Sequence, residues 1–369
     1  MSLRELLERR RLLVCVGPGG VGKTTLGAAI ALDAARRGQR VAVITIDPAR
    51  RLADALGLDG LDDTLRPVAG VGPGSLDAAM LDTKSSYDAL IARVTEDPDR
   101  RQAILENRVY QSFSRTLARS HAYIAMERLH AVMQQGEHDL VVLDTPPTRS
   151  ALDILDAPGR LVHFLDERVL SAFVGAPRGG AAAWLRAKSA EVALRLFGAM
   201  VGDDLMQELA GFFEVFFHLR HGFAERASEV QQWLRDERTA FVLVTAPQLS
   251  HLADAAYLRD GLVARSAPLE ALLFNRAYVP GDDGRPLREG TWERADVERR
   301  WPEGAAVLDE ARALRARRVR ENRELDRATA DFKLHAGPRV HVCRRFPRME
   351  REPTTLGQLV ELMENASPG

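Results

Sequence analysis

The stretch Gly17-Pro18-Gly19-Gly20-Val21-Gly22-Lys23-Thr24-Thr25 decides how this chain is read. It satisfies the pattern G-x-x-x-x-G-K-[ST] at every fixed position, and its flanks have the required form. An apolar run, Leu12 to Val16, comes before it and reads as a buried strand. An amphipathic stretch, Thr24 to Arg37, comes after it and reads as a helix. In that setting the glycines let backbone N–H groups converge on a phosphate, and the helix start adds partial positive charge. Lys23 would reach the β- and γ-phosphates of a nucleoside triphosphate, and the Thr24 hydroxyl would hold Mg2+. Lysine occurs only at positions 23, 84, 188 and 333, so a lysine in this loop is not a product of a lysine-rich composition.

Working outward, short apolar runs alternate with helix-period segments. Leu12–Val16, Arg40–Ile46, Leu76–Leu81, Leu140–Leu143, Ala240–Thr245, Leu269–Phe274 and Arg339–Cys343 read as strands. Several are continuous and β-branched, as in strands buried on both faces of a parallel sheet. The alternation predicts an α/β fold, a doubly wound and mainly parallel sheet with ligands at the carboxyl ends of the strands. One region breaks the alternation. From about Leu161 to Asp236 no strand signal occurs, and the stretch reads as an inserted helical subdomain. The expected division is therefore 1–160, a first part of the sheet domain; 161–236, the helical insertion, with 85–135 packing nearby; and 237–369, the second part. The polar segment Val279 to Glu303 reads as a surface excursion.

Bulk properties bound the function. A length of 369 residues gives a prior of about two domains. Lys+Arg (51) nearly balance Asp+Glu (52), so net charge gives no bias toward nucleic acid. Cys15 and Cys343 each fall in an expected strand, which is no disulfide framework and fits a reducing, cytoplasmic compartment. No stretch approaches the roughly 18 apolar residues needed to span a bilayer.

Two more strand ends carry chemistry. Asp47 follows the second strand in Thr45-Ile46-Asp47-Pro48-Ala49-Arg50. One βα unit after the phosphate loop, a carboxylate there would face a γ-phosphate and orient the attacking water. The plainer role is capping of the next helix. Leu140 to Asp144, followed by Thr145-Pro146-Pro147-Thr148, is a hydrophobic strand ending in Asp, the arrangement that binds Mg2+ directly or through water. Asn275 ends a late strand; from the residues alone it is a turn former that has the donors and acceptors to read an adenine.

These residues together resemble the family of ArsA arsenite-pump ATPases and Get-pathway ATPases, within the deviant-Walker class that also holds MinD and ParA. The resemblance covers most of the chain. It runs through Gly19–Thr25, Asp47-Pro48-Ala49, Asp82, Asp144–Thr148, Phe241–Leu252 and Asn275, and is closest to a bacterial branch at Thr45–Leu58 and Asp144–Pro158. It implies an ATPase using ATP and Mg2+. Lys23, Thr24 and Thr25 would bind phosphates and Mg2+, Asp47 would activate water, Asp144 would open the second switch, and Asn275 would recognise adenine. It also implies two nucleotide domains, from a homodimer or a heterodimer with a paralogue, that close around ATP. The helical subdomain would then bind a hydrophobic helix or membrane-protein client, and any membrane association would run through a partner.

Three departures qualify that picture. Pro18 stands where the family has its signature lysine, which reaches the partner's phosphates; Arg50, Arg51 and Arg149 are the candidate replacements. The zinc-binding cysteine pair of the eukaryotic targeting ATPases is absent, and so are the arsenite-binding cysteines. In the insertion, Leu205, Met206, Leu209, Phe212, Phe213, Phe216 and Phe217 share one helical face. That face is either a groove wall for an apolar helix or ordinary core, which base rates favour. Three functions follow: a client-binding ATPase, the energy subunit of an anion efflux transporter, or a spatial organiser. The acidic tail and the mixed charge of Ala311–Arg327, which reads as a solvated helix, disfavour the last.

Overall fold

The computed structural model describes residues 2–46, 50–81, 98, 102, 121–147, 149–164, 222, 224–277, 294–301, 304–336, 340–347 and 353–368. Its centre is a nine-stranded sheet in the order β3-β4-β2-β5-β1-β6-β7-β8-β9. The strands are β1 (Leu12–Val16), β2 (Arg40–Thr45), β3 (Arg66–Pro67), β4 (Ser75–Met80), β5 (Leu140–Asp144), β6 (Thr239–Thr245), β7 (Leu269–Ala277), β8 (Val342–Pro347) and β9 (Ser367–Pro368). Among the described residues the seven longer strands run parallel, and the two-residue edges β3 and β9 pair antiparallel. The expected doubly wound α/β architecture is present, and all seven expected strands exist. The two short edges carry too few residues to leave a periodic signal.

Side chains of β1 alternate between two cores. Leu12, Val14 and Val16 face one, and Leu13 and Cys15 face the other. Every residue of β1, β5 and β6 is buried, which explains why these segments are unbroken apolar runs. Each such Leu or Val contributes roughly 1.5–3 kcal/mol through burial. One face is covered by α1 (Leu3–Arg9), α2 (Lys23–Arg36), α3 (Arg51–Leu56) and α9 (Leu356–Glu364). The other is covered by α4 (His121–Gln135), α5 (Arg149–Phe164), α6 (Leu249–Ala264) and the last turns of α8 (Gly304–Ala336). A short α7 (Arg294–Arg300) precedes α8. Helix α1 starts at a capping box in which Ser2 and Glu5 exchange hydrogen bonds.

Most of the expected helical insertion lies outside the described residues, including the phenylalanine face at 205–217. What is described is its two ends. Helix α5 crosses residue 160, so the boundary expected there falls inside a helix. The helical stretch 224–233 packs on α4 through a polar clasp. Arg226 donates to Glu127 at 2.8 Å, His130 and Glu229 are 2.9 Å apart, and the His130 and Trp233 rings stack with centroids 5.4 Å apart. Of the expected surface excursion, only 294–301 is described. The Arg-rich segment expected as a solvated helix is the exposed part of α8.

Candidate nucleotide-binding site

The chain turns back across the sheet on either side of β1, with β2 to β5 on one side and β6 to β8 on the other. That places a topological switch point at the end of β1, where ligands of open α/β sheets bind. The loop Gly17–Gly22 occupies it, and α2 starts at Lys23. Sterics fix two of its glycines. A Cβ on Gly17 would lie 2.1 Å from the Val244 carbonyl oxygen of β6. Gly22 has φ +87, and a Cβ there would lie 2.3 Å from Asn275 Nδ2. The loop thus passes close to two neighbouring strand ends, an approach that only glycine allows.

Charged and polar side chains converge on the loop. Lys23 is 8% exposed, and its Nζ donates to the Pro18 carbonyl at 2.9 Å, which folds the ammonium over the loop. Thr24 Oγ1 donates to Asp144 Oδ2 at 2.6 Å. Thr45 Oγ1, at the end of β2, donates to the same oxygen at 2.9 Å. Asp144 is 1% exposed, and these bonds satisfy one oxygen, Oδ2, of a carboxylate held away from water. Thr145 Oγ1 donates to the Cys15 carbonyl at 2.8 Å, which anchors the loop after β5 to the end of β1. A cavity of about 550 Å³ opens in front of the loop. Gly20, Lys23 and Thr24 form one wall, and Arg51 and Asp54 of α3, with Pro353, form the other.

Two of the three switch and base residues expected from sequence have a defined place. Asp144 ends β5 beside Thr24. Asn275 lies two residues before the end of β7, against the back of the loop. Its Nδ2 donates to the Val21 carbonyl at 2.8 Å, and its Oδ1 accepts from the Arg276 N–H at 2.9 Å. An amide has two hydrogens and its oxygen two lone pairs, so these bonds use half of its capacity. Arg276 adopts φ +55 where the β7–β8 register shifts. Asp47 and Asp82 lie outside the described residues, as does the side chain of Arg149. Thr45, Thr145 and the Pro353 wall were not anticipated. A strand-end hydroxyl just ahead of Asp47 was the available signal for Thr45.

The donor set fits a hard cation. A hydroxyl and a carboxylate oxygen, 2.6 Å apart at a phosphate loop, are the ligands that Mg2+ takes when phosphates supply the rest. Among the described residues no group of three or more His, Cys, Asp and Glu converges as a separate metal centre. The two thiols do not form a soft site. Burial and then the nearby Asp144 charge push Cys15 far above the ordinary thiol range, and burial raises Cys343 as well. They sit on β1 and β8, three strand spacings or roughly 14 Å apart across the sheet.

Fold and loop together define a P-loop nucleoside triphosphatase. The chain belongs to the anion-transporting ATPase family, whose model matches residues 10–293. It is 25% identical over 282 residues to the ATPase GET3 of Malassezia globosa, covering 76% of this chain and 77% of that one. It is 25% identical over 289 residues to the arsenical pump-driving ATPase of Escherichia coli, covering 76% of this chain and 42% of that one. A Halobacterium salinarum relative is 29% identical over 185 residues, and the match spans 28% of its length. The chain therefore spans less than half the length of two of these three relatives. Among the described residues no helix is long and apolar enough to cross a membrane.

Proposed function

We propose that this protein hydrolyses Mg2+-ATP within a nucleotide-controlled dimer, and that closure of the dimer binds an apolar or membrane-protein client which hydrolysis then releases. The observation that carries the ATP half is the meeting of Thr24 and Asp144 at the mouth of the glycine loop. In this reading the loop N–H groups and Lys23 bind the phosphates, while Thr24 and Asp144 hold the metal. Held there, magnesium would neutralise charge on the phosphates. Asp47 orients the attacking water, and Asn275 reads the adenine with its remaining donor and acceptor. The client half rests on the similarity to GET3 and on the apolar helical face that the sequence predicts for Phe212, Phe213, Phe216 and Phe217.

A second reading, the energy subunit of an anion efflux transporter, is favoured by the similarity to an arsenical pump-driving ATPase. The separated, protonated thiols do not supply the convergent thiolates that As(III) needs, so this reading requires another anion.

Solution mass with and without Mg2+-ATP tests the dimer. Wild type is expected to dimerise on ATP, and Asp47→Asn to remain trapped as the dimer. A monomer under every condition would remove the homodimer and point to a lysine-bearing paralogue. The substitution at Pro18 makes a further demand. If one of Arg50, Arg51 and Arg149 supplies the missing cation, its alanine variant is expected to lower turnover by roughly 10³-fold, the range of a transition-state arginine. Full activity in all three variants would exclude that compensation.

A further inference from the structure

Asp144 Oδ2 accepts two hydroxyl hydrogens, and only one comes from the phosphate loop. The other comes from Thr45, at the end of β2. Thr45 and Asp144 are directly opposed in the parallel β2–β5 pair, so their side chains emerge on the same face. Thr45 has no exposed surface. A hydroxyl buried that deeply needs a partner, and its donated bond goes to the carboxylate at 2.9 Å. The main chain stitches the same place. The Ile46 N–H donates to the Asp144 carbonyl, and the Leu81 N–H donates to the Thr45 carbonyl, each at 3.0 Å. The residue after Ile46 is Asp47.

Thr24 and Thr45 differ in what they do with their oxygens. Thr24 sits at the start of α2 and lines the cavity, so its oxygen can face a cation while its hydrogen stays on Asp144. Thr45 has no exposed surface between its strands, and the hydrogen it donates goes to Asp144.

We propose that Thr45 is a positioning residue for magnesium, fixing the Asp144 carboxylate from the strand that leads to Asp47. This rests on the Mg2+-ATP reading of the site. Partners that orient a metal-binding carboxylate set the affinity for the metal, because a ligand free to rotate must be ordered when the cation arrives. The same bond joins that carboxylate to β2, the strand that precedes Asp47 in the sequence.

The experiment is a magnesium titration of the binding of a fluorescent ATP analogue to the full chain. Thr45→Val, which keeps the shape and removes the hydroxyl, is expected to raise the half-maximal magnesium concentration by roughly 10- to 100-fold. Binding of the analogue in excess chelator should stay at the wild-type level, and Thr45→Ser should restore the wild-type magnesium midpoint. An unchanged or lowered midpoint in Thr45→Val overturns the proposal. Parallel losses of metal-free and magnesium-dependent binding overturn it too, since they mark a structural role. If Thr45→Val does not fold, Thr45→Ala against Thr45→Ser makes the same comparison. Wild-type binding that ignores magnesium would remove the Mg2+-ATP reading and this proposal together. A magnesium-dependent wild type with an indifferent Thr45→Val removes this proposal alone.

Discussion

Lys23→Ala is expected to lower ATP turnover by roughly 10²- to 10³-fold while the protein stays folded. Lys23 is 8% exposed and its ammonium is bound to the Pro18 carbonyl at 2.9 Å, so it is already positioned over the phosphate loop. A preorganised charge in a shielded site needs little reorganisation as charge builds on the γ-phosphate, and that is where electrostatic catalysis is strongest. Pro18 sharpens the expectation, because this loop lacks the second lysine of the related ATPases. Lys23→Arg should fail nearly as badly, since a planar guanidinium replaces a compact point charge in a tightly enclosed position. Single-turnover hydrolysis, read beside a far-UV melting curve, measures both halves of the expectation. Unchanged turnover would take the reaction away from this loop.

Gly17→Ala is expected to destabilise the protein by about 3 kcal/mol and to abolish nucleotide binding. The new methyl would sit 2.1 Å from the Val244 carbonyl oxygen, a contact with backbone rather than with a side chain that can rotate away. Neither strand can yield easily. β1 and β6 are paired in continuous register from Leu12 opposite Thr239 to Val16 opposite Leu243, and a shift of either gives up ladder bonds. Gly20→Ala is the control. Gly20 has φ +74 with nothing within 4 Å of a Cβ, so it should lose only the left-handed penalty, about 1 kcal/mol. Urea unfolding and analogue binding on the two variants separate collision from conformation. Equal losses would show that the Val244 contact does not govern the loop.

The parts legible in the sequence are those whose cause is local. β1 could be read because both of its faces are buried and every residue is apolar. The glycine loop could be read because phosphate binding fixes residue type at fixed spacing. β8 shows where local reading stops. The apolar run suggested Arg339–Cys343, whereas the strand is Val342–Pro347 and holds Arg344 and Arg345. Arg345 can be buried there because Asp326 and Asn322 on α8 accept from its guanidinium at 2.6 Å and 3.2 Å. No window centred on the strand contains that compensation. β7 likewise runs past Asn275 to Ala277 because Arg276 takes a left-handed conformation at a register shift. Thr45 was missed for a related reason. Its partner is 99 residues away, and only the strand order brings the two together.

The clasp between α4 and the helical stretch 224–233 has a mechanical consequence. The first of these helices leads into β5 and the second into β6, and those are the two strands hydrogen-bonded to β1. Glu127 and His130 grip Arg226, Glu229 and Trp233, which ties the pair into one strut with two feet. A force travelling along it enters the sheet on both flanks of the glycine-loop strand at once. The strand would then be carried along with both neighbours, to which it is hydrogen-bonded, instead of being sheared from one of them.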